Sequence, residues 1–306
     1  MTSTRHISVA GDDLLSAADH GRICALAVRL ERDLHLVGAG HEDLFSGRPF
    51  DSGLFSSIAM SIAFTAPEYT AEQLRLTTRT LLWVFAADWQ IDYLAQAADD
   101  VRKIAADCLA VADGAPPSDG HPLARMLAEI RDELAVAPAF ATLRSAWRDE
   151  LQRMFAAVAR EWEWKTARAA AAPDALASPT LDEYLGNSDN LACSLVNVSL
   201  WIYAGDQDCL DHLADLMVAS REVQRVLRLV NDLATYRRDL QWGDLNALML
   251  VDDPAEVTDR LAALIEGCQE IIRPLETTCP RQARYMKRQI AFTSGFYQVS
   301  DFWGSL

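Results

Sequence analysis

Helical periodicity runs along most of this chain and limits the folds it can adopt. Apolar residues recur mostly at three-to-four spacing, which places them on one face of an α-helix, rather than at the alternating spacing of a strand. Only 14 glycines and 11 prolines interrupt the 306 residues. Half of the residues are hydrophobic, so the helices can bury a substantial core. The sequence therefore predicts an all-α fold.

Several of the predicted helices carry a capping signal at their start. Thr70 with Gln73, and Thr180 with Glu183, have capping-box spacing, in which two side chains satisfy free N–H groups of the first turn. The predicted helices span residues 12–37, 54–65, 71–112, 122–136, 138–171, 180–204, 208–240, 254–275 and 280–302.

The connections between these helices give no sign of a domain boundary. The two most loop-like stretches, residues 114–122 and 171–179, are each too short to be more than a link between helices. No internal repeat of solenoid length is present. We therefore expect one domain over residues 1–306.

The net charge of −16 and the pI near 4.7 argue against a nucleic-acid partner, because phosphate backbones require clustered lysine and arginine. No apolar run approaches the roughly 20 residues that cross a bilayer, and the first residues lack the apolar core of a signal peptide. We expect a cytoplasmic protein with no membrane partner.

Cysteine and histidine patterns give little support to a zinc or disulfide site. The six cysteines form no CxxC pair and the six histidines no HExxH motif, so reduced, mostly buried thiols are expected. If a metal binds here, its ligands should be hard oxygen atoms.

The segment VNDLATYRRDL offers such oxygens. Asn231, Thr235 and Asp239 are four residues apart, so on a helix they form one stripe of amide, hydroxyl and carboxylate oxygens. Mg²⁺ takes ligands of this kind and shares its remaining positions with water or phosphate oxygens. The alternative is a solvated helix face on which Asp239 pairs with Arg238 or Arg237.

A second acidic stripe lies in LLWVFAADWQIDYLAQAADD. Asp88 and Asp92 are also four apart, and the aromatic residues around them are Trp83, Phe85, Trp89 and Tyr93. Two carboxylates at this spacing repel each other, and burial among aromatic rings increases the cost unless a cation compensates. The alternative is that both aspartates face water while the rings pack on the other side.

Together, FAADWQIDY and NDLATYRRD resemble the two metal-binding motifs of class I terpene synthases, the aspartate-rich motif and the N-D-x-x-S/T-x-x-x-D/E motif. The motifs occur in the family's order, and the resemblance covers nearly the whole chain. The segment LDEYLGNSDNLACSLVNVSLW resembles the family's broken helix beside the cavity, and the tail TSGFYQVSDFWGSL resembles its C-terminal helix.

The resemblance implies an antiparallel helical bundle around an apolar cavity, with three Mg²⁺ ions that clamp a diphosphate. By motif position, the metal-binding and catalytic residues would be Asp88, Asp92, Asn231, Thr235 and Asp239. Arg238 would bind the diphosphate, with Arg228 as a weaker candidate. The candidate pocket residues are Phe85, Asn187, Trp201, Tyr297 and Trp303.

Three positions depart from the family pattern. Trp89 stands where a second acid usually follows Asp88. The arginine often found after the EYL segment is missing, with Asn187 and Ser188 near its place. The arginine–tyrosine pair that commonly closes the family's cavity is replaced by Phe302–Trp303. The EYLxN context resembles variants that accept cyclic, labdane-type diphosphates.

These features lead to a hypothesis of a Mg²⁺-dependent class I diterpene synthase. Its substrate would be a labdane-type diphosphate such as copalyl diphosphate, or geranylgeranyl diphosphate. The carbocation formed when diphosphate leaves would cyclise or rearrange and then lose a proton or capture water. An upstream prenyltransferase or class II cyclase would supply the substrate, because this chain has no DxDD motif. The family resemblance also allows a homodimer.

Three alternatives remain open at this point. A sesquiterpene synthase would use farnesyl diphosphate with the same motifs. A trans-prenyltransferase shares the fold but uses two aspartate-rich motifs, and NDLATYRRD is not one. A non-catalytic terpene-binding helical protein would keep the cavity without turnover.

Overall fold

The computed structural model describes residues 12–170, 178–205 and 208–304, and these ranges form helices and connecting turns without a strand. The predicted all-α fold is confirmed. The α-helices in the described ranges are α1 (Asp12–Gly40), α2 (Glu42–Phe45), α3 (Ser52–Thr65), α4 (Ala71–Trp89), α5 (Ala98–Ala112), α6 (Pro122–Ala135), α7 (Phe140–Ala170), α8 (Leu181–Gly186), α9 (Cys193–Ala204), α10 (Asp208–Asp211), α11 (Leu213–Trp242), α12 (Ala255–Thr278) and α13 (Pro280–Phe296).

Both predicted capping boxes are present. At the start of α4, the backbone N–H of Gln73 donates to Thr70 Oγ1 at 3.2 Å, and the N–H of Thr70 donates to Gln73 Oε1 at 3.0 Å. Thr180 and Glu183 make the same exchange at the start of α8, at 3.2 and 2.8 Å. Local sequence alone sets these two helix starts.

The single helix predicted over residues 71–112 is wrong. After α4, the chain makes one π-helical turn, Gln90–Leu94, and then stops. The carboxylate of Asp100 accepts the backbone N–H groups of Gln96 at 3.0 Å and Ala97 at 2.9 Å, and this cap begins α5 as a separate helix. Apolar spacing continues through the break, which is why periodicity did not reveal it.

The helix predicted over residues 180–204 is also divided, at the break that the family resemblance implied. A 3₁₀ turn, Ser188–Leu191, follows α8, and Ala192 then takes a left-handed conformation with φ 54° before α9 begins. Two smaller differences occur towards the C-terminus. The predicted helix 208–240 consists of α10 and α11, and the predicted helix 280–302 ends at Phe296.

The main core forms where α4 packs against α1, α3, α6 and α9, and where α11 packs against α9, α12 and α13. Trp83, on α4, is fully buried and donates its indole N–H to the carbonyl of Leu123 on α6 at 2.9 Å. Burial of a large apolar side chain contributes about 1.5 to 3 kcal/mol. This packing fixes α4 and α11, which carry the two acidic stripes.

A smaller core cluster secures the loop after α11. It consists of Tyr184, Leu185, Leu229, Leu245, Ala247 and Val257. Gly243 ends α11 in a left-handed conformation, with φ 74°, and this turn directs the chain back along the helix. Within the described ranges, no helix has the length and apolar character needed to cross a bilayer.

Candidate active site

A cavity of about 250 Å³ lies among α3, α4, α7, α9, α11 and α13. This volume is close to the lower end of the range for small-molecule sites, about 300 to 1,000 Å³. Part of the wall is apolar and includes Ile62, Leu81, Val84, Val196, Leu227 and Phe292. The rest is strongly polar and includes residues of both predicted stripes, so the fold brings together two segments far apart in the sequence.

The first stripe lies where α4 passes into its π turn. Asp88 and Asp92 both line the cavity and are half-buried. Burial, reinforced by the charge of Asp244, raises the pKa of Asp88, and burial together with Asp88 raises the pKa of Asp92. The raised pKa values mean that burial disfavours negative charge on this pair, and a bound cation would stabilise the charged form.

The second stripe lies on α11 and is not a solvated face. Thr235 is 2% and Asp239 5% exposed, which excludes a solvated face, although the alternative's pairing of Asp239 with Arg238 is present. Thr235 Oγ1 lies 2.7 Å from Asp239 Oδ2, and Asn246 donates its side-chain N–H to the same oxygen at 2.8 Å. Asn231 and Asp239 line the cavity, whereas Thr235 lies beneath them and supports the carboxylate. Hydrogen bonds therefore preset the orientation of Asp239.

Arg238 lies beside this carboxylate on the cavity wall. Its Nη2 donates to Asp239 Oδ1 at 3.1 Å, its Nη1 pairs with Asp301, and its guanidinium lies 5.0 Å from the ring centre of Trp242. The arginine therefore joins α11 to the segment after α13.

Arg228 is deeply buried, and its guanidinium is only partly satisfied. Its Nε donates to the hydroxyl of Tyr184 at 2.8 Å and lies 3.6 Å from Asp232, and its Nη2 pairs with Glu161. Its Nη1 is buried without a hydrogen-bond partner among the described residues. An unpaired, buried cationic donor on a cavity wall suits an anionic ligand.

The segment after α13 crosses the cavity from α11 to α4. Tyr297 accepts a hydrogen bond from the amide of Asn231 at 2.6 Å. The ring of Phe302 lies 5.6 Å from Phe85, and that of Trp303 lies 5.0 Å from Phe85. These aromatic contacts make the segment part of the cavity wall.

Two predicted pocket residues lie elsewhere, and their assignment is corrected. Asn187 caps the end of α8 and donates its side-chain amide to the carbonyl of Ala157 at 2.9 Å, so it faces α7. Trp201 is 1% exposed and packs in the main core. Neither Asn187 nor Trp201 is among the residues that line the cavity, whereas Phe85, Tyr297 and Trp303 line it.

Several charged residues line the cavity without a motif in the sequence that identifies them as ligands. They are Glu161 and Lys165 on α7, Asp232 on α11, and Asp244 just after it. Glu161 and Lys165 are four residues apart, a spacing that indicates a shared helix face but not what the face meets. Burial raises the pKa of Asp232 to about 7 even though Arg228 lies close by.

The oxygen atoms of this site suit Mg²⁺ in kind, because carboxylate, amide and hydroxyl oxygens are hard ligands. In the described ranges no three acidic, histidine or cysteine side chains converge closely enough to form a metal cage by themselves. Mg²⁺ would therefore need additional oxygens from a ligand such as a phosphate.

Comparison with known families decides what kind of protein carries this cavity. The family described as terpene synthase family 2, C-terminal metal binding, matches residues 79–289, a range that contains both acidic stripes. The chain belongs to this family. It is thus a terpene synthase of class I, and the resemblance seen in the sequence is confirmed.

One relative of this terpene synthase is ent-pimara-9(11),15-diene synthase from Streptomyces sp. (strain KO-3988), 26% identical over 284 residues, which covers 92% of this chain and 93% of the relative. Among solved structures, 2-methylisoborneol synthase from Streptomyces coelicolor A3(2), in complex with Mg²⁺ and geranyl-S-thiolodiphosphate, aligns with a TM-score of 0.68 at 17% identity, covering 91% and 93% of the two chains. Linalool/nerolidol synthase from Streptomyces clavuligerus, with 2-fluorogeranyl diphosphate, aligns with a TM-score of 0.66 at 19% identity, covering 89% and 97%. These structures establish the shared fold.

Proposed function

We propose that this terpene synthase is a Mg²⁺-dependent diterpene synthase that ionises a twenty-carbon allylic diphosphate and directs the resulting carbocation to a cyclised or rearranged product. One observation carries the proposal: the two acidic stripes, from distant segments, line the same partly apolar cavity. The diene synthase relative supports the twenty-carbon substrate. Copalyl-type and geranylgeranyl diphosphates both remain candidates, because Asn187, which suggested the bicyclic substrate, lies outside the cavity wall.

The proposed mechanism assigns the polar residues to the diphosphate end of the substrate. Asp88 and Asp92 would hold Mg²⁺ on one wall, and Asn231 and Asp239 on the other. Thr235, predicted from the sequence as a third ligand of that wall, would act through its hydrogen bond to the Asp239 carboxylate. Bound Mg²⁺ would supply Lewis-acid stabilisation of the departing diphosphate. Three ions are proposed, as the family resemblance implies.

The two cavity arginines would bind the diphosphate oxygens directly. Arg228 offers its unpartnered Nη1, and Arg238 can exchange its bond to Asp301 for one to the ligand. Charge-assisted hydrogen bonds of this kind are about twice as strong as neutral ones.

The aromatic wall would exclude water and stabilise the carbocation. Phe85, Tyr297 and Trp303 present rings to the cavity, and a well-placed ring stabilises a cation by about 0.5 to 2 kcal/mol. The reaction would end by deprotonation of the carbocation or by its capture of water. A prenyltransferase or class II cyclase would supply the substrate, and a homodimer is compatible with the proposal.

Product analysis tests this function. The purified chain is incubated with Mg²⁺ and, separately, farnesyl, geranylgeranyl and copalyl-type diphosphates, and the hexane extracts are analysed by mass spectrometry. A product from a twenty-carbon substrate supports the proposal. A product from farnesyl diphosphate alone would make the chain a sesquiterpene synthase, and elongation with isopentenyl diphosphate would make it a prenyltransferase.

Two variants test the proposed site. Asn231→Ala and Asp239→Ala should each abolish Mg²⁺-dependent release of diphosphate, whereas Asp99→Ala, at an exposed surface ion pair, should not. Full activity in both site variants would contradict the assignment. Calorimetric binding of a neutral terpene without metal and without turnover would favour the non-catalytic alternative.

A further inference from the structure

A lysine on the cavity wall has no assigned role in the proposed mechanism. Of the described residues that line the cavity, three carry a positive charge: Lys165, Arg228 and Arg238. Each arginine lies close to two carboxylates. Lys165 pairs with a single carboxylate, that of Asp244, at 2.7 Å. Of these three cations it is therefore the one with the fewest ion pairs.

The ammonium of Lys165 lies between the two predicted metal-binding segments. It donates to the backbone carbonyl of Asp92 at 3.2 Å, at the end of the helix that carries the first stripe. Asp244, its other partner, belongs to the loop that returns from α11, five residues after Asp239. A diphosphate held between these segments would come within reach of this ammonium.

The neighbours of Lys165 hold it in place and leave donor capacity free. An ammonium has three N–H donors, and two are used by Asp92 and Asp244. Tyr93 supports the arrangement, because its ring centre lies 5.4 Å from the ammonium and its hydroxyl donates to Asp244 at 3.3 Å. The side chain of Lys165 is 25% exposed, so it is accessible to a ligand from the cavity.

We propose that Lys165 is a diphosphate-binding residue, whose ammonium pairs with Asp244 and lies beside the Tyr93 ring in the absence of diphosphate. This inference rests on the proposed function, because it needs a diphosphate in the cavity. It adds a residue of α7 to the proposed diphosphate contacts, which otherwise come from Arg228 and Arg238 on α11.

A purely structural role for Lys165 makes different predictions. If the lysine only pairs with Asp244 and caps the helix end, removing either partner should have the same effect on the protein. If it binds diphosphate, loss of the ammonium should weaken binding, whereas loss of the Asp244 charge should leave binding intact or strengthen it, because a competing anion is removed.

The test is calorimetric titration of inorganic diphosphate, in Mg²⁺, into the full chain and its variants. Lys165→Gln should weaken binding about 10- to 100-fold, the loss expected for one charge-assisted hydrogen bond. Asp244→Asn should bind at least as tightly as the wild type, and Lys165→Arg should stay within roughly threefold of it. Lys103→Gln, at an exposed position, is the matched control and should not change binding.

The outcomes separate this inference from the proposed function. If the wild type binds diphosphate and Lys165→Gln binds equally well, or if Asp244→Asn loses as much affinity as Lys165→Gln, the role of Lys165 is refuted and the function stands. If the wild type does not bind diphosphate in Mg²⁺, both fail. Should Lys165→Gln not fold, the ¹⁵N resonance of the Lys165 ammonium in the wild type should shift when diphosphate is added, and an unchanged resonance refutes the inference.

Discussion

Substituting Asp301 with asparagine should tighten diphosphate binding. In the free protein, the Asp301 carboxylate pairs with Arg238, the arginine proposed to contact the diphosphate. An anion that binds Arg238 through Nη1 competes with this carboxylate. Asparagine has nearly the same shape, and its side-chain oxygen can still accept the backbone N–H of Trp303, which lies 3.2 Å from Asp301 Oδ1. The substitution therefore removes the competing charge and preserves the local turn.

The burial of the ion pair sets the size of the effect. The side chains of Arg238 and Asp301 are 19% and 23% exposed, so their interaction exceeds the 0.2 to 1 kcal/mol of a surface pair but stays below that of a fully buried one. Hydrogen bonds to charged groups contribute about 1.5 to 3 kcal/mol, and this pair is partly solvated, so we expect the Arg238–Asp301 interaction to contribute about 1 to 2 kcal/mol. The dissociation constant for diphosphate should fall about 5- to 30-fold.

Calorimetric titration of inorganic diphosphate at saturating Mg²⁺ measures this change. Asp99→Asn is the control, because it makes the same change in net charge at a side chain that is 86% exposed. Equal affinities for the two variants, or weaker binding by Asp301→Asn, would refute the argument that Asp301 competes for Arg238.

Three further predictions concern stability. Trp83→Ala should lower the free energy of unfolding by about 3 to 5 kcal/mol, because it leaves a large cavity and a backbone carbonyl without its donor; a change below about 1 kcal/mol in urea unfolding would contradict this. Burial raises the pKa of Asp232 from 3.8 to about 7, so the folded chain holds this proton more tightly than the unfolded chain, and the free energy of unfolding should fall as pH rises through this window. Asp232→Asn should remove that part of the pH dependence, and an unchanged slope in metal-free urea unfolding would show that another group causes it. Ala192→Gly should lower the free energy of unfolding by about 1 to 2 kcal/mol less than Ala219→Gly does, because both changes remove a buried methyl group but only Ala192 has a left-handed backbone. Equal stability of the two variants in urea unfolding would contradict this.

Local patterns in the sequence predicted much of the secondary structure. The capping boxes at Thr70 and Thr180 form as expected, because their partners are three residues away and need no tertiary contact. The stripe of Asn231, Thr235 and Asp239 was recognisable for the same reason, since helix geometry fixes its spacing. The break after α4 was missed because the apolar spacing continues through it, while the cap that begins α5 rests on a single side chain, that of Asp100.

Local sequence patterns do not predict the contacts between side chains within the site. Lys165 meets Asp244, 79 residues later, and Arg238 meets Asp301, 63 residues later. No periodicity links such pairs, and a lysine or aspartate in the sequence has the same appearance whether it faces water or a cavity.

The sequence by itself determined the helical class of the protein, two helix starts and the residue types that make a Mg²⁺-dependent terpene synthase chemically reasonable, because these depend on spacings within one helix. Tertiary structure decided which of those residues share a cavity. It turned Asn187 towards α7 and buried Trp201 in the core, and it brought Lys165 and Asp301 to the acidic stripes. The physical reason is that side-chain burial and pairing between helices depend on how the helices pack, and packing depends on contacts across the whole chain.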